Sequence, residues 1–375
     1  MAMDQRSPGL HIQIASDIHL EFAQDDDVPS LHDVLTPSAP VLGLLGDIGV
    51  LGRGQANVDR YRRFLSEASA HFEHVVVLAG NHEFYSDPHS DGGRQLHSEL
   101  LDRIRSICAE IGKVHFLDWD SPPLVLDGVR VVGGTMWGFV PVEAQLDQAG
   151  AESVEYKLSD YRHIFMPPDA SGARNRLLTA TDTNGWHAAT RDAIVAAARE
   201  SGAAHQPVLV LTHHAPTFLL PHEHAQGPLR WALASDALAG MPADAAAAIH
   251  TWAFGHLHAP MDLRLGNTRV VANPRGYPNE VDCRAEFGRA TVLFVPSAWT
   301  EIDARPSDTW PSVPGLQPPS AEVVQRHAAA QQGALPPPRQ ALHAAGGTPV
   351  AGEARTAPPA TRVAAGQRPK RCCVQ

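Results

Sequence analysis

Residues 11–19 read HIQIASDIH, in which a short apolar run ends in Asp17, Ile18 and His19. An apolar run of this length that ends in polar residues is typical of a buried β-strand followed by a loop. The two polar side chains of DIH lie two residues apart, so on extended backbone they point to the same side. The stretch therefore predicts a strand whose carboxyl end presents a carboxylate and an imidazole together.

Four further apolar runs end in the same way. They are VLGLL at 41–45, HVVVLA at 74–79, PVLVLT at 207–212 and IHTWAF at 249–254. The polar residues that follow them are Asp47, Asn81-His82-Glu83, His213-His214 and the pair His256 and His258. Because ligand sites in open α/β sheets assemble at the carboxyl ends of strands, we expect these five endings to converge.

Helical patterns separate the runs and predict an α/β fold. Apolar residues recur at helical spacing over Val58 to Ala70, Leu96 to Ile111 and Trp186 to Ala198. Shorter strand candidates lie at 114–117, 124–126, 129–133, 261–265, 268–272 and 290–295. The turns DG (127–128) and GN (266–267) predict two antiparallel hairpins among them. We expect a four-layer α-β-β-α sandwich of two mixed sheets with outer helices.

The composition changes at about residue 305. Segments beyond it, such as PSDTWPSVPGLQPPS, are rich in Pro, Ala and Gly and lack a sustained apolar period. We expect a catalytic domain over 1–305 and a disordered tail over 306–375. The ending RPKRCCVQ fits the CaaX prenylation pattern at Cys372, which would make that cysteine a lipid anchor. Prenylation requires eukaryotic machinery, so a chance ending of the tail is the favoured interpretation.

The composition also limits the classes of function. A formal net charge of −11 at pH 7 repels polyphosphate backbones and no basic stripe offsets it, so we expect no nucleic-acid partner. No segment approaches the ~20 apolar residues of a membrane span, and no signal peptide opens the chain. The four cysteines form neither a disulfide framework nor a CxxC metal pattern. These features predict a cytoplasmic protein.

The residue types at the five strand endings suit metal ions. Imidazole nitrogens combined with carboxylate and amide oxygens match Mn, Fe or Zn better than the all-oxygen sets of Ca²⁺. Most single histidines are structural or surface groups, but alignment at five strand ends favours ligation.

The motifs DIH, GD, GNHE, a strand end with His213, and GHLH stand in the order that is characteristic of the calcineurin-like metallophosphoesterase superfamily. The chain resembles this superfamily over roughly residues 11 to 295. The flanking pieces LEF, SDYR (159–162), THHAP (212–216) and NPRGY (273–277) resemble a bacterial subgroup whose substrate is generally unassigned.

The resemblance implies a phosphoesterase with two divalent or transition metal ions, Mn, Fe or Zn, that activate a water molecule and clamp the phosphate. By motif position, one ion would be held by Asp17, His19 and His258, the other by Asn81, His213 and His256, and both by Asp47. His82 would be catalytic and face the substrate. His213 rather than His214 takes the family's ligand position, and His214 is expected to pack or to form a hydrogen bond.

Two arginines are candidates for substrate binding. Arg275 in NPRGY offers a bidentate guanidinium for phosphate, and a structural salt bridge is the alternative. Arg162 in SDYR would line the pocket together with Tyr161, or the motif would close an insertion over the sheet.

Departures from the superfamily's Ser/Thr phosphatases bear on the substrate. Those enzymes usually carry a second aspartate and an arginine shortly after GD, and an arginine before GNHE, whereas this chain reads GDIGVLGR and LAGNHE. The missing acid leaves open which group orients His82. We therefore expect a small phosphate mono- or diester as substrate, with nucleotides among the candidates. A Ser/Thr protein phosphatase and a catalytically silent binding or signalling module on the same fold are the alternatives.

Overall fold

The computed structural model of the protein describes residues 8–24, 28–141, 154–168, 176–219 and 229–298. These residues form eleven β-strands in two sheets. The strands are β1 (Gly9–Ala15), β2 (Val41–Leu45), β3 (His74–Leu78), β4 (Val114–Phe116), β5 (Leu124–Leu126), β6 (Val129–Gly134), β7 (Val208–Thr212), β8 (Ile249–Phe254), β9 (Met261–Leu265), β10 (Thr268–Ala272) and β11 (Val292–Pro296). Each of the five long apolar runs and each of the six shorter candidates is thus a strand, as predicted.

Both sheets are mixed. The first has the order β11-β1-β2-β3-β4, in which β1 to β4 are parallel and the edge strand β11 is antiparallel to β1. The second has the order β5-β6-β7-β8-β10-β9, in which the edge strands β5 and β9 are antiparallel to their neighbours. Because these strands are parallel, the carboxyl ends of β1, β2 and β3 lie together at one end of the first sheet, and those of β7 and β8 lie together at one end of the second.

The two antiparallel edges are the predicted hairpins. The turn from β5 to β6 places Asp127 and Gly128 at positive φ, 48° and 83°, which is the backbone that a tight hairpin turn requires. The turn from β9 to β10 contains Gly266 at φ 59°. Local turn chemistry therefore sets the register of both edges.

Nine α-helices, most of them a single turn, connect the described strands. They are α1 (Leu31–Val34), α2 (Gln55–His71), α3 (His97–Ile111), α4 (Val154–Lys157), α5 (Asp160–His163), α6 (Ala180–Ala203), α7 (Arg230–Leu233), α8 (Ala243–Ala246) and α9 (Val281–Glu286). The three predicted helices correspond to α2, α3 and α6. Helix α6 begins before the apolar period does, because Thr179 and Asp182 form a capping box at its amino end.

Three apolar cores separate the layers of the sandwich. Alternate residues of β3 face opposite ways: Val75 and Val77 pack with α2 and α3, whereas Val76 and Leu78 pack between the sheets. Strand β7 alternates in the same way between α6 and the first sheet. The predicted four-layer α-β-β-α arrangement is therefore confirmed.

The predicted tail over 306–375, its boundary at residue 305 and Cys372 lie outside the described residues. Among the helices that the structure describes, none combines the length and the apolar character that crossing a membrane requires.

Candidate metal centre

The five strand endings meet at one place because hydrogen bonds join the loops that follow the strands. The amides of Asp17 and His19 donate to the carbonyls of Gly46 and Asp47, each at 3.0 Å. The Gly255 amide donates to the carbonyl of His213 at 3.0 Å and joins the loops after β8 and β7. The amides of His82 and His256 donate to the side chains of Asp47 and Asp17 at 2.9 and 3.0 Å, which adds the loop after β3 and links the two pairs of loops. The convergence expected from the sequence is thus held by backbone and side-chain hydrogen bonds together.

Three side chains, Asp17, His19 and His258, form what we call the first ligand group. Their candidate ligand atoms all lie within 4.8 Å of one another. His258 Nε2 is 3.3 Å from Asp17 Oδ1 and 3.2 Å from His19 Nε2. Two imidazole nitrogens and a carboxylate oxygen therefore face a common point.

The second ligand group consists of Asn81, His213 and His256. The two histidines lie with Asp47 in a cluster whose ligand atoms are within 4.8 Å of one another. Asn81 Oδ1 is 3.1 Å from His213 Nε2. The amide nitrogen of Asn81 donates to Asp160 at 2.8 Å, which turns the amide oxygen towards the histidines.

Asp47 lies between the two groups. Its Oδ2 is 3.4 Å from His213 Nε2 and 3.9 Å from His19 Nε2. Its other oxygen, Oδ1, accepts the backbone N–H of His82 at 2.9 Å. One carboxylate oxygen thus faces both ligand groups, while the other is held by the backbone.

Carboxylates lie behind the histidines of the first group. His19 Nδ1 is 3.0 Å from Glu21, and His258 Nδ1 is 2.5 Å from Glu280. Burial lowers the pKa of His258, but the carboxylates of Asp17 and Glu280 outweigh it and raise the pKa to about 10. In the second group, His213 Nδ1 instead donates to the carbonyl of Leu45 at 2.8 Å.

Neutral aromatic rings lie behind the second group. His214 packs against His256 with ring centroids 4.1 Å apart, and its Nδ1 is 3.2 Å from the carbonyl of Thr135. The Trp137 ring lies 5.2 Å from that of His214 and 5.6 Å from that of Trp186. The stack then continues through His97 to Phe84, with centroid distances of 4.2 and 4.0 Å.

His82 is held beside both groups by a carboxylate that sequence reasoning missed. Its Nδ1 is 2.9 Å from Glu21, and its Nε2 is 3.3 Å from the hydroxyl of Tyr277. Burial lowers the pKa of His82, but the carboxylates of Asp47 and Glu21 outweigh this effect and raise the pKa to about 9. The group that orients His82 is therefore Glu21, and the LEF piece after DIH was the available signal.

A second carboxylate of GNHE fixes the loops. Glu83 is buried and accepts backbone N–H groups from Asp47, Ile48 and Gly80 at 3.0, 2.8 and 2.7 Å. Gly80 itself has no room for a side chain, since a Cβ there would lie 2.1 Å from Asp47 Oδ1. These contacts explain why the motif needs both the glycine and the acid.

Five of the seven predicted ligand residues have left-handed backbone. Their φ values are 54° at Asp17, 53° at His19, 52° at Asp47, 70° at His256 and 49° at His258. Non-glycine residues adopt this region rarely and at a cost of order 1–3 kcal/mol each, and such residues concentrate at functional sites. The surrounding hydrogen bonds hold the backbone in this conformation.

The two predicted substrate arginines are not brought into contact with the ligand groups. Arg275 donates from Nη1 to the carbonyl of Ile18 at 3.2 Å, and its own amide donates to Ser16 at 3.0 Å. Arg162 is exposed and donates to the carbonyl of Tyr156 and to Ser159. The residues of these two motifs that do contact the site are Tyr277 of NPRGY and Asp160 of SDYR, and neither was predicted from the sequence.

The residues fit divalent or transition metal ions. His256 Nε2 is buried and has no hydrogen-bond partner among the described residues. A buried polar atom without a partner costs about 1–3 kcal/mol, and a cation facing it would remove that cost. The donor set of imidazole, carboxylate and amide is the set that Mn, Fe and Zn accept.

The chain is similar to known proteins both in sequence and in structure. No protein family model matches the chain. The chain is 24% identical over 310 residues to a protein called Uncharacterized protein L509 from Acanthamoeba polyphaga mimivirus, and the match covers 78% of this chain and 96% of that protein. The structure of the present chain is similar to the crystal structure of phosphopantetheinyl hydrolase (PptH) from Mycobacterium tuberculosis, with a TM-score of 0.57 and 19% sequence identity.

That likeness in structure covers 77% of this chain and 97% of the mycobacterial one, so it extends over the whole sandwich rather than over one layer. The five motifs stand at the strand ends where the sequence predicted them, and the layers and their order agree with the prediction. The chain has the calcineurin-like metallophosphoesterase fold.

Proposed function

We propose that this protein is a cytoplasmic, metal-dependent hydrolase that cleaves a phosphate mono- or diester. The observation that carries the proposal is the position of Asp47, whose Oδ2 faces His19 at 3.9 Å and His213 at 3.4 Å. A carboxylate in this position would allow Asp47 to hold two cations at once. Such a pair, when bound, supplies Lewis acidity that activates water and neutralises charge on the phosphate.

The two ligand groups would each hold one ion. Asp17, His19 and His258 would hold the first, Asn81, His213 and His256 would hold the second, and Asp47 would bridge them. Mn, Fe and Zn are all candidates, because this donor set accepts all three.

His82 would act as the general acid. Its Nδ1 is held by Glu21 at 2.9 Å, so Nε2 is the ring nitrogen that is turned towards the centre, 3.9 Å from Asp47 Oδ2. As the water oxygen bonds to phosphorus and loses a proton to solvent, the ester P–O bond breaks and the Nε2 proton passes to the leaving oxygen. Solvent then returns a proton to His82. Glu21 is a positioning residue in this scheme. Arg275 and Arg162 stay predictions as substrate-binding residues.

A small phosphate ester is the proposed substrate class. The net charge of −11 disfavours long polyanions. GDIGVLGR lacks the second aspartate of the Ser/Thr phosphatases, and LAGNHE lacks the arginine that they usually carry before GNHE. Nucleotides are candidates, and the name of the mycobacterial fold relative adds phosphopantetheinyl esters to the compounds worth assaying.

The first experiment measures metal content and hydrolysis together. Protein purified with manganese should carry about two metal ions per chain and hydrolyse bis(p-nitrophenyl) phosphate, and chelation should abolish the hydrolysis. Full activity of metal-free protein would contradict the proposal.

The second experiment is a panel of esters assayed with manganese. It contains cyclic nucleotides, dinucleotides, a phosphopantetheinyl ester, phosphoproteins and phospholipid head groups. Preference for the phosphoprotein would support the Ser/Thr phosphatase alternative. Hydrolysis of none of them by the metal-loaded protein would support the silent binding module.

A further inference from the structure

Two aromatic side chains, Phe22 and Tyr277, line one side of the first ligand group, and we call this pair the aromatic wall. Their ring centroids are 5.3 Å apart, with an interplanar angle of 77°. The ring of Tyr277 lies 4.3 Å from that of His19 and 4.4 Å from that of His258. Phe22 lies 5.9 Å from His19. The wall is therefore in direct contact with two of the proposed ligands.

Phe22 is unusual because it is large, apolar and 42% exposed. Seven large hydrophobic side chains are exposed in the described part of the chain, and the Phe22 ring is the one among them that contacts a proposed metal ligand. Leaving such a ring in water forgoes burial free energy, and an exposed aromatic at the rim of a site is a usual means of binding a ligand's planar group. A substrate group that covers Phe22 would recover that free energy.

The wall is held in a fixed position relative to the reacting groups. The amide of Gly276 donates to the carbonyl of Asp17 at 3.0 Å, and the amide of Tyr277 donates to Glu280 at 2.8 Å. The Tyr277 hydroxyl is 3.3 Å from His82 Nε2. One end of the wall is thus at the proposed proton donor, and the other end, Phe22, is at the solvent.

This geometry distinguishes the two sides of the phosphorus atom. In the proposed function, on which this inference rests, the leaving oxygen lies beside His82. A substituent on that oxygen would continue along Tyr277 towards Phe22. We infer that the aromatic wall binds the leaving group of the substrate, and that this leaving group carries a planar apolar ring, as an aryl, benzyl or nucleobase-bearing alcohol does.

The test uses two esters whose leaving alcohols have similar acidity, benzyl phosphate and ethyl phosphate, with released inorganic phosphate as the readout. Wild-type protein loaded with manganese should prefer benzyl phosphate by about tenfold in kcat/KM, roughly the effect of one aromatic contact. Phe22→Ala should bring this preference close to one through a higher KM for the benzyl ester, and Phe22→Leu should retain part of it.

Phe139→Ala is the matched control, because Phe139 is 45% exposed and contacts His187 rather than a proposed ligand. It should keep the wild-type preference. If Phe22→Ala kept the preference, or reduced turnover of both esters equally, the inference would be overturned.

A binding measurement separates this inference from the proposed function. Calorimetry with the manganese-loaded protein should show about tenfold tighter binding of phenylphosphonate than of methylphosphonate, and Phe22→Ala should abolish the difference. If the wild type hydrolysed neither of these monoesters nor bis(p-nitrophenyl) phosphate, the proposed function would fail, and the phosphonate comparison would still decide whether the wall binds planar groups.

Discussion

The two ligand groups differ in what lies behind their histidines. In the first group, Glu21 and Glu280 contact the outward nitrogens of His19 and His258 at 3.0 and 2.5 Å. In the second group, a backbone carbonyl holds His213, and the packed ring of His214 lies against His256. A carboxylate behind a histidine raises its basicity as a ligand, whereas a carbonyl or a neutral ring adds no charge.

The difference indicates that the two proposed ions are held unequally. The first group has its own carboxylate, Asp17, and two more behind it, whereas the second has a neutral amide, Asn81. Negative charge near a divalent cation favours its binding, so we expect the first ion to be retained longer under chelation. The shared residue, Asp47, should be the one position at which both sites fail together.

The largest effect is expected from Asp47→Asn. Loss of the shared charge should lower the metal content of both groups. Turnover of every ester should fall by more than 100-fold, because removing a residue that only supports a ligand already costs roughly 10- to 100-fold. Metal analysis and kinetics on the same preparation check this. Asp192→Asn, an exposed change on α6, is the control. Retention of either ion at full occupancy would show that Asp47 is not shared.

His82→Asn should leave both ions in place and slow the chemistry. The loss should be about 10²–10⁴-fold for alkyl esters and smaller for nitrophenyl esters, whose leaving groups need less protonation. Metal content and rates over a series of leaving groups are the measurements. If a metal ion were lost, or if good and poor leaving groups suffered equally, His82 would be a ligand or a phosphate-positioning residue rather than the acid.

Glu280→Gln should affect the first group alone. We expect about 10- to 100-fold weaker binding of one ion, because the amide no longer strengthens His258 as a ligand, and unchanged binding of the other. Stepwise titration of metal-free protein with manganese resolves the two affinities. Asp282→Asn is the matched control, being an exposed acid in α9, close to Glu280 in the chain. If the affinity for both ions fell equally, the proposed difference between the two ligand groups would be wrong.

The smallest effect concerns the ring stack behind the second group. Burial lowers the pKa of His97 to about 3, against about 6.5 in an unfolded chain. Between these values the unfolded state takes up a proton that the native state does not, so the contribution of His97 to stability is full above pH 6.5 and falls by about 1.4 kcal/mol per pH unit below it.

His97→Phe should flatten this decline, whereas His205→Asn, at an exposed position, should not. Urea unfolding of both variants and the wild type at pH 7 and pH 5 measures it. If the free energy of unfolding of His97→Phe fell with pH as steeply as that of the wild type, His97 would not contribute to the loss of stability at low pH.

The strands and the proposed ligands were predictable because their signals are local. A short apolar run with polar residues at its end, such as HIQIASDIH, specifies both a strand and what the strand carries. The orientation of the supporting carboxylates was not predictable. Glu21 reaches His82 from the turn after β1, and Asp160 reaches Asn81 from the first residue of α5. Where these side chains point depends on tertiary packing rather than on spacing along the chain. In SDYR the sequence drew attention to Arg162, whereas the contact is made by Asp160.

The left-handed backbone of the proposed ligands also has an evolutionary consequence. Glycine would adopt the left-handed backbone at positions 17, 19, 47, 256 and 258 more easily than the Asp and His residues present. A descendant that no longer used metal ions could therefore replace them by glycine while keeping the same loops. Retention of all five residues across homologues would indicate continued selection on the site, and their replacement by glycine would identify a lineage that has abandoned it.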